Sequence, residues 1–462
     1  MSRDGGAGPR RGRPVRRAGG RPQRQERQRD DSAVGTEFEV EVGPVAHGGH
    51  CVARHGGRVV FVRHTIPGER VRVRVTEGGE GSKFWRADAV EVLEASPDRV
   101  QQPCPVARPG LCGGCDFQHV ALPAQRELKA AVVAEQLRRL AGLELPVVVE
   151  AVPGDEDGLR WRTRTAFAVD AEGRAGLRRH RSHEVVVLED CPITEGGVIG
   201  TGVLQERWQH AAQVEVAVGS GEGAPLVVVT PAEGEAVPRR LPLPRLREAS
   251  LAVRTAPGTL EQRGGRTWLE ERVVAAGAEH RFRVSGAGFW QVHPGAPAVL
   301  VEAVLGALGP QPGERALDLY AGAGLFAAAL AEAVGVTGTV LAVESDARAV
   351  RDARRNLHGQ GQVRLVASRV DEALAGGEAG ERADVVVLDP PRSGAGRGVV
   401  ERLAALGPRA VAYVACDPAA LARDVATFGE LGYRLQALRA FDLFPMTQHV
   451  ECVALLVPAG ES

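Results

Sequence analysis

The chain has 462 residues, a formal net charge of −1, 44% hydrophobic residues and 25% charged residues. This length exceeds what one hydrophobic core serves, so two to four domains are expected. Because no run approaches about 18 consecutive apolar residues and the N-terminus has no apolar signal core, we expect a soluble cytoplasmic protein with no membrane partner.

Residues 1–33 form a basic N-terminal segment. They carry ten Arg against four acidic residues and show no apolar periodicity. This composition predicts a disordered tail. Such a tail either binds RNA loosely and in a salt-dependent way or keeps the protein soluble, and the sequence leaves both roles open.

Short alternating strands occupy residues 34–97, for example "EFEVEV" and "ERVRVRVTE". Gly-rich turns separate them, which predicts a small antiparallel, OB-like β-barrel. Arg and aromatic side chains on such a barrel can bind single-stranded nucleic acid, although barrels of this size also serve as spacers.

Residues 98–290 are predicted to form an α+β middle domain. A helical pattern in residues 123–142 is followed by strands such as "RTAFAVD" and "PLVVVTP". The basic stretches 160–164 and 178–181 either face RNA or lie on a solvated surface.

Residues 291–462 show apolar runs that alternate with helical stretches. This pattern predicts a Rossmann-like α/β domain with a parallel sheet covered on both faces. The last two runs, "YRLQALRAFDLF" and "HVECVALLV", are joined by too short a link for a crossover helix. They predict an antiparallel hairpin added at the sheet edge.

The segment "DLYAGAGLF", residues 318–326, is a candidate cofactor loop. Gly322 and Gly324 permit a tight turn, and Glu344 ends the next strand, where an acid can bind ribose hydroxyls. The spacing also fits a dinucleotide fingerprint. Asp318 and the downstream Asp-Pro-Pro favour S-adenosylmethionine over NAD.

The segment "LDPPRSG", residues 388–394, follows another predicted strand. A related motif in methyltransferases of exocyclic amino groups continues with an aromatic residue that stacks on the base. Arg392 stands at that place here, which disfavours amino-group methylation. A proline-stiffened loop without chemistry is the other interpretation.

Cys416 ends a strand in "VAYVACDPAA", and Glu451 begins the last strand. Methylation at C5 of a pyrimidine needs a thiolate that adds to C6 and a base that removes the C5 proton. Cys416 and Glu451 could supply these groups. By pattern alone, a buried packing cysteine is the commoner role.

These motifs, taken in order, resemble the RNA uracil-C5 methyltransferases, which make 5-methyluridine in tRNA and rRNA. The resemblance runs through "GFWQVHPGA" (288–296), "DLYAGAGLF", "DPPRSG", "ACDP" and "HVE", and the N-terminal barrel resembles a TRAM domain. It covers nearly everything after residue 36. The implied fold of residues 291–462 is a class I S-adenosylmethionine-dependent methyltransferase.

The resemblance implies roles for individual residues. Cys416 matches the nucleophile and Glu451 the proton-abstracting base. The matches to cofactor-pocket positions are Gln291, Tyr320, Glu344 and Asp389. Phe289 would line the pocket, and Asp371 matches a position near the adenine.

Two departures from the family pattern lie at the cofactor and nucleophile motifs. Leu325 stands where some members have Asn, which removes a polar cofactor contact. Asp417 stands where the family often has Asn, so a carboxylate lies beside the thiol. Such a charge would raise the pKa of the thiol if it pointed inward, so we expect Asp417 to face away or to be hydrogen-bonded.

Four of the seven cysteines resemble the family's iron–sulfur ligands: Cys104, Cys112, Cys115 and Cys191. Seven residues separate the first two, where the family usually has five. Four thiolates suit a [4Fe-4S] cluster or zinc, and the resemblance favours the cluster. Cys51 and Cys452 are assigned to packing.

The sequence therefore predicts a monomeric enzyme that transfers a methyl group from S-adenosylmethionine to C5 of a uridine in structured RNA, with rRNA favoured over tRNA. The alternatives are a base amino-group RNA methyltransferase and a non-catalytic RNA-binding assembly factor. An NAD-dependent dehydrogenase is disfavoured because no motif suggests a hydride-transfer site.

Overall fold

A computed structural model describes residues 31–239, 241 and 243–460. The predicted N-terminal tail lies outside the described residues except for 31–33. Within the described part of the chain, no helix is both long and apolar enough to cross a membrane.

The N-terminal region is a six-stranded mixed sheet in the order β1-β5-β6-β4-β3-β2. The strands are β1 (Glu37–Glu41), β2 (Val45–Ala46), β3 (His50–His55), β4 (Arg58–Arg63), β5 (Arg70–Glu77) and β6 (Phe84–Glu94). The predicted all-antiparallel pairing is wrong at one place. β5 reverses the chain, and β6 then returns beside β4 in parallel. Strands β1 and β2 end the strand order on opposite sides, although only residues 42–44 separate them.

A helix α1 (Leu122–Gln136) follows and continues as a π-helical turn, Leu137–Ala141, that ends at the left-handed Gly142. Proline in its first turn suits a helix start because the missing N–H has no intrahelical role there. Val133 and Leu137 are buried in the core of the C-terminal sheet. This helix therefore lies against the C-terminal region although it precedes the middle sheet in the chain.

The middle region is a seven-stranded sheet in the order β10-β9-β8-β11-β12-β13-β14, with a short helix α2 (Gly196–Gly200). Its strands are β8 (Arg164–Val169), β9 (Ala175–Arg178), β10 (Val185–Val187), β11 (Ala211–Ala217), β12 (Leu226–Pro231), β13 (Ser250–Ala256) and β14 (Thr259–Gly264). The two-residue strand β7 (Val149–Glu150) precedes them and joins the C-terminal sheet instead.

A hairpin of β15 (Trp268–Ala275) and β16 (Ala278–Ser285) connects the middle region to the C-terminal region. Alternate residues of β15 are buried, as expected for a strand with one covered face. Val273 and Phe282 belong to the same apolar core as the first helices of the C-terminal region. The hairpin therefore packs on the C-terminal sheet.

The C-terminal region is an eight-stranded sheet in the order β19-β18-β17-β20-β21-β23-β22-β7. Its further elements are α3 (Ala296–Leu308), β17 (Arg315–Leu319), α4 (Leu325–Val334), β18 (Thr339–Glu344), α5 (Ala347–Asn356), β19 (Val363–Ala367), α6 (Val370–Ala375), β20 (Val385–Leu388), α7 (Arg397–Ala405), β21 (Ala410–Ala415), α8 (Pro418–Glu430), β22 (Tyr433–Phe441) and β23 (Glu451–Pro458).

Strands β17 to β21 of this sheet are mutually parallel. Two apolar cores cover its faces, as the near-continuous apolar strands predicted. The predicted terminal hairpin is confirmed, with β23 paired antiparallel to both β21 and β22. β7 pairs with β22 and forms the outermost strand on that side.

Candidate active site

The carboxyl ends of the parallel strands meet at one edge of the C-terminal sheet. In open α/β sheets, ligands bind at this edge. The loop 320–324 follows β17, Glu344 ends β18, Asp389 follows β20 and Cys416 follows β21. The topology therefore gathers on one edge the residues that the sequence motifs singled out.

The loop after β17 is a tight turn with open space beside Gly322. Tyr320 and Gly324 have φ angles of 68° and 95°. The N–H of Gly322 donates to Glu344 Oε2 at 2.9 Å, and no atom lies within 4 Å of where a Cβ on Gly322 would be. The other oxygen of Glu344 accepts from the N–H groups of Ser345 and Asp346. Glu344 is thus held by backbone donors beside an open turn.

Several other residues matched to the cofactor pocket lie on this turn, on α6 and on the segment that follows β16. Burial and then the charge of Asp371 raise the pKa of Tyr320, so these two side chains are neighbours. Gln291 is half-buried on the segment after β16, and Phe289 is 75% exposed. Asn356 connects that hairpin to the cofactor loop, because its amide donates to the carbonyls of Arg283 and Ala323.

Acidic side chains cluster beneath the turn. Burial, together with the nearby carboxylates of Asp389 and Glu344, raises the pKa of Asp318 to about 8 against a backbone hydrogen bond at Ala327. Burial also raises the pKa of Asp389 to about 7. Like charges held close together in a low-dielectric site disfavour ionisation, and a bound cation would reverse that effect. The cluster is therefore suited to a positively charged ligand.

Cys416 and Glu451 are brought together by the pairing of β21 with β23. The antiparallel register aligns Ala415 with Cys452, so the next pair along the two strands is Cys416 and Glu451. Residues directly opposite each other in such a pair project to the same face of the sheet. Cys416 lines a pocket shared with Arg392 and His449, whereas Glu451 is only 4% exposed.

Electrostatic interactions connect these groups. Burial, followed by the charge of Glu451, raises the pKa of Cys416 to about 11, and Arg392 partly opposes this rise. Burial and Asp389 raise the pKa of Glu451 well above its ordinary value, again against Arg392. The site therefore holds a thiol and a buried acid that both favour their neutral forms.

Asp417 follows Cys416 in the chain, and its carboxylate is hydrogen-bonded, as predicted. Its Oδ1 accepts from the N–H of Ala420 at 2.8 Å and caps the start of α8. Its Oδ2 lies 3.1 Å from Nε2 of His47, which belongs to the N-terminal sheet region. Burial raises the pKa of Asp417, but the hydrogen bonds from His47 and Ala420 outweigh this effect and leave it below its ordinary value.

Comparisons with known proteins decide the family. The TRAM domain model matches residues 31–90, and the tRNA (uracil-5-)-methyltransferase model matches residues 262–458. The 23S rRNA (uracil(1939)-C(5))-methyltransferase of Alkalilimnicola ehrlichii is 34% identical over 90% of this chain and 96% of its own length. The chain belongs to the RNA uracil methyltransferase family.

One further relative agrees with this membership, and one solved structure shows the same fold. An uncharacterized RNA methyltransferase of Streptomyces coelicolor is 52% identical, covering 93% of this chain and 94% of the relative. In fold, the chain is similar to the tRNA (uracil-54, C5)-methyltransferase of Pyrococcus abyssi, solved with S-adenosyl-L-homocysteine. The TM-score is 0.68 at 24% identity, over 91% of this chain and 100% of that one. This protein is thus an S-adenosylmethionine-dependent RNA uracil methyltransferase with an N-terminal TRAM domain.

The loop that carries His449 into β23 of the methyltransferase is held by α1. Lys129, fully buried, donates to Asp442 Oδ1 at 2.5 Å and to the carbonyl of Phe444 at 3.0 Å. The amide of Gln125 accepts from the N–H of Met446, which has a φ of 65°. These contacts fix the strained loop just before Glu451.

Asp424 on α8 holds the loop after Asp389. Its carboxylate accepts from the Tyr413 hydroxyl at 2.6 Å and from the N–H of Ala395 at 2.8 Å. A Cβ on Gly394 would lie 2.7 Å from this carboxylate, so the close approach requires glycine. Asp424, Lys129 and His47 are not predicted from the sequence, because their partners lie far away in the chain or inside helices whose pattern indicates only packing.

The four cysteines predicted as ligands line one small pocket of the middle region. Each is buried, and Gln118 connects two of them by donating to Cys115 Sγ at 3.1 Å and accepting from the Cys104 N–H at 3.0 Å. Within residues 31–239, 241 and 243–460, no three potential ligands are arranged to hold a single ion. Cys51 and Cys452 are buried elsewhere.

Proposed function

We propose that this methyltransferase acts at C5 of a uridine in structured rRNA, with Cys416 as nucleophile and Glu451 as base. The observation that carries the proposal is the strand register that pairs Ala415 with Cys452, because Cys416 and Glu451 are the next residues along these two strands. Methylation at C5 requires a cysteine and a carboxylate at the same site. Methylation of an amino group requires no cysteine.

The proposed reaction has four steps, in which each bond that forms is matched by one that breaks and the methyl donor leaves as S-adenosylhomocysteine. The Cys416 thiolate adds to C6 of the uracil, which makes C5 nucleophilic. The C5 carbon then takes the methyl group, which S-adenosylmethionine supplies when bound. Glu451 removes the C5 proton, and the C6–S bond breaks to restore the thiolate. The target uridine must leave its stack to reach Cys416.

The raised pKa of Glu451 and the positive charge of Arg392 support these roles. A base is most effective when its pKa lies near the working pH, and burial moves the pKa of Glu451 upward in that direction. Burial and Arg392 lower the pKa of His449 to about 4, so its neutral ring lines the pocket without adding charge. The guanidinium of Arg392 favours the thiolate of Cys416.

The residues proposed to hold S-adenosylmethionine are Gln291, Tyr320, Glu344 and Asp389. Glu344 lies where a carboxylate can accept from ribose hydroxyls, and the cluster around Asp389 suits the sulfonium. Calorimetric titration tests this set without the reaction. Glu344→Ala should weaken S-adenosylmethionine binding at least about tenfold, and unchanged binding would remove Glu344 from the set.

One relative supports rRNA as the substrate class. The Alkalilimnicola ehrlichii protein, whose name specifies 23S rRNA, matches along almost the whole of both chains. Mapping 5-methyluridine in total RNA from a deletion strain tests the substrate. We expect one uridine of rRNA to lose its methyl group, and loss confined to tRNA would contradict the proposal.

We also propose that Cys104, Cys112, Cys115 and Cys191 hold a [4Fe-4S] cluster with a structural role. Four buried thiols around one pocket suit thiolate ligation. Iron and sulfide analysis of anaerobically purified protein should find about four of each, whereas one zinc would contradict the proposal.

A trapped intermediate tests the mechanism. In Glu451→Gln, methyl transfer can occur but elimination cannot follow, so the enzyme should remain covalently joined to RNA and migrate more slowly on a denaturing gel. The exposed Glu401→Gln is the matched control and should accumulate no adduct. The adduct should vanish in the Cys416→Ala/Glu451→Gln double variant. Absence of any retarded species would count against Glu451 as the base.

A further inference from the structure

The TRAM domain contributes directly to the pocket around Cys416. The turn between β2 and β3, residues 47–49, carries His47, which lines this pocket together with Cys416, Arg392 and His449. From the sequence, this "HGG" is only one of the Gly-rich turns between strands. In the structure, its His47 lines the pocket of the candidate active site.

The turn contacts both sides of the nucleophile. On one side, His47 Nε2 lies 3.1 Å from Asp417 Oδ2, at the start of the helix that follows Cys416. On the other side, Gly49 packs on Gln448, so closely that a Cβ on the glycine would lie 2.6 Å from the Cβ of Gln448. The turn therefore touches the segment after Cys416 and the segment before Glu451.

The two carboxylate oxygens of Asp417 contact α8 and the TRAM domain separately. Its Oδ1 caps α8, and its Oδ2 pairs with His47. The charged groups that shift the pKa of Cys416 are Glu451, Arg392 and Asp389. The carboxylate next to the nucleophile is thus directed toward the TRAM domain.

We propose that His47 is a positioning residue that, by pairing with Asp417, holds the 47–49 turn as one wall of the target-uridine pocket. RNA bound by the TRAM domain would then be held in register with Cys416. The proposal rests on the function proposed above. It assigns the TRAM domain a role in forming the site in addition to binding RNA.

Two single variants and their combination test the pair. Asp417→Asn keeps an oxygen that caps α8 but removes the charge, and His47→Ala removes the partner. Each should raise KM for rRNA isolated from a deletion strain about two- to fivefold, as expected for a partly exposed ion pair, and leave KM for S-adenosylmethionine unchanged. The double variant should be no worse than either single variant. Additive losses, or an unchanged KM for RNA, would overturn the proposal.

The pH dependence of KM separates a paired histidine from a merely structural one. The hydrogen bond to Asp417 raises the pKa of His47, while burial and Arg423 oppose this and Glu135 on α1 supports it. A raised pKa means that the pair is complete at low pH and is lost as the pH rises through that pKa. KM for RNA in the unaltered enzyme should therefore rise over this range, and Asp417→Asn should flatten the rise.

Two further variants keep the test decisive. His47→Gln retains a donor for Asp417 that does not titrate, so it should restore KM for RNA close to normal and abolish its pH dependence. His55→Ala, which removes a histidine of the same domain stacked on Phe38, should leave both KM values unchanged. If the unaltered enzyme makes no 5-methyluridine, the proposed function fails; if only these KM differences are absent, the His47 proposal alone fails.

Discussion

Cys416 and the four-cysteine pocket of the middle region place the same residue type in contrasting surroundings. Cys416 is half-buried at a strand end, beside carboxylates and Arg392. The other four thiols are each at most 8% exposed and lie among apolar side chains. Both a nucleophile and a metal ligand act as thiolates, but only a nucleophile must also be reachable by the substrate. The contrast in exposure is in keeping with the catalytic role proposed for Cys416 and the structural role proposed for the other four.

The two sites are nevertheless connected through the backbone. Asp116, which follows Cys115, donates its N–H to the carbonyl of Met446 at 3.0 Å. Its carboxylate accepts from the N–H of Gln448 at 3.2 Å. The loop that leads to Glu451 therefore rests on the segment that carries Cys115. A disturbance at the four-cysteine pocket should therefore reach the active site through this loop.

The largest expected effect separates the two kinds of cysteine. Cys416→Ala should reduce 5-methyluridine formation by at least about a thousandfold, with a change in stability below about 1 kcal/mol. Cys191→Ala should instead lower the content of bound metal and the melting temperature while leaving measurable activity. Methyl transfer, metal analysis and thermal melts on both variants check this. Full activity in Cys416→Ala would point to amino-group chemistry.

The strand ends could be predicted from the sequence, but the contacts between distant segments could not. Apolar runs and the glycines at 322 and 324 predicted the parallel sheet and its cofactor turn, because such features are local. The parallel pairing of β4 with β6 and the placement of α1 against the C-terminal core depend on how separate segments pack. The His47–Asp417 pair joins residues that no periodicity relates, so nothing in the chain could signal it.

The second prediction concerns the loop that connects the sites. Lys129→Met leaves Asp442 buried without its cation, which should lower the free energy of unfolding by about 3–5 kcal/mol. Lys83→Met removes the other lysine of the chain, which is exposed, and should change the free energy of unfolding by less than about 0.5 kcal/mol. Urea denaturation measures both. A loss of similar size in the two variants would show that the buried pair does not hold the loop.

A third, smaller effect tests the difference in thiol reactivity. Because the pKa of Cys416 is raised to about 11, its thiolate fraction should increase about tenfold per pH unit between pH 7 and 10. Iodoacetamide labelling of Cys416, followed by peptide mass spectrometry, should show that slope. The buried Cys452 should remain unlabelled in the folded protein. A rate independent of pH over this range would mean that Cys416 is already a thiolate and would contradict the proposed electrostatics.

The smallest expected effect concerns the cofactor's charge. Burial and the neighbouring carboxylates Glu451 and Asp389 disfavour the Cys416 thiolate, so a positive sulfonium bound nearby should lower the pKa of this thiol. S-adenosylhomocysteine has nearly the same shape but no sulfonium charge, so it is a matched control for steric blocking. At pH 8, saturating S-adenosylmethionine should give Cys416 labelling several times faster than saturating S-adenosylhomocysteine. Equal rates would show that the cofactor's charge does not reach the thiol, and activation would then have to come from the RNA or from Arg392.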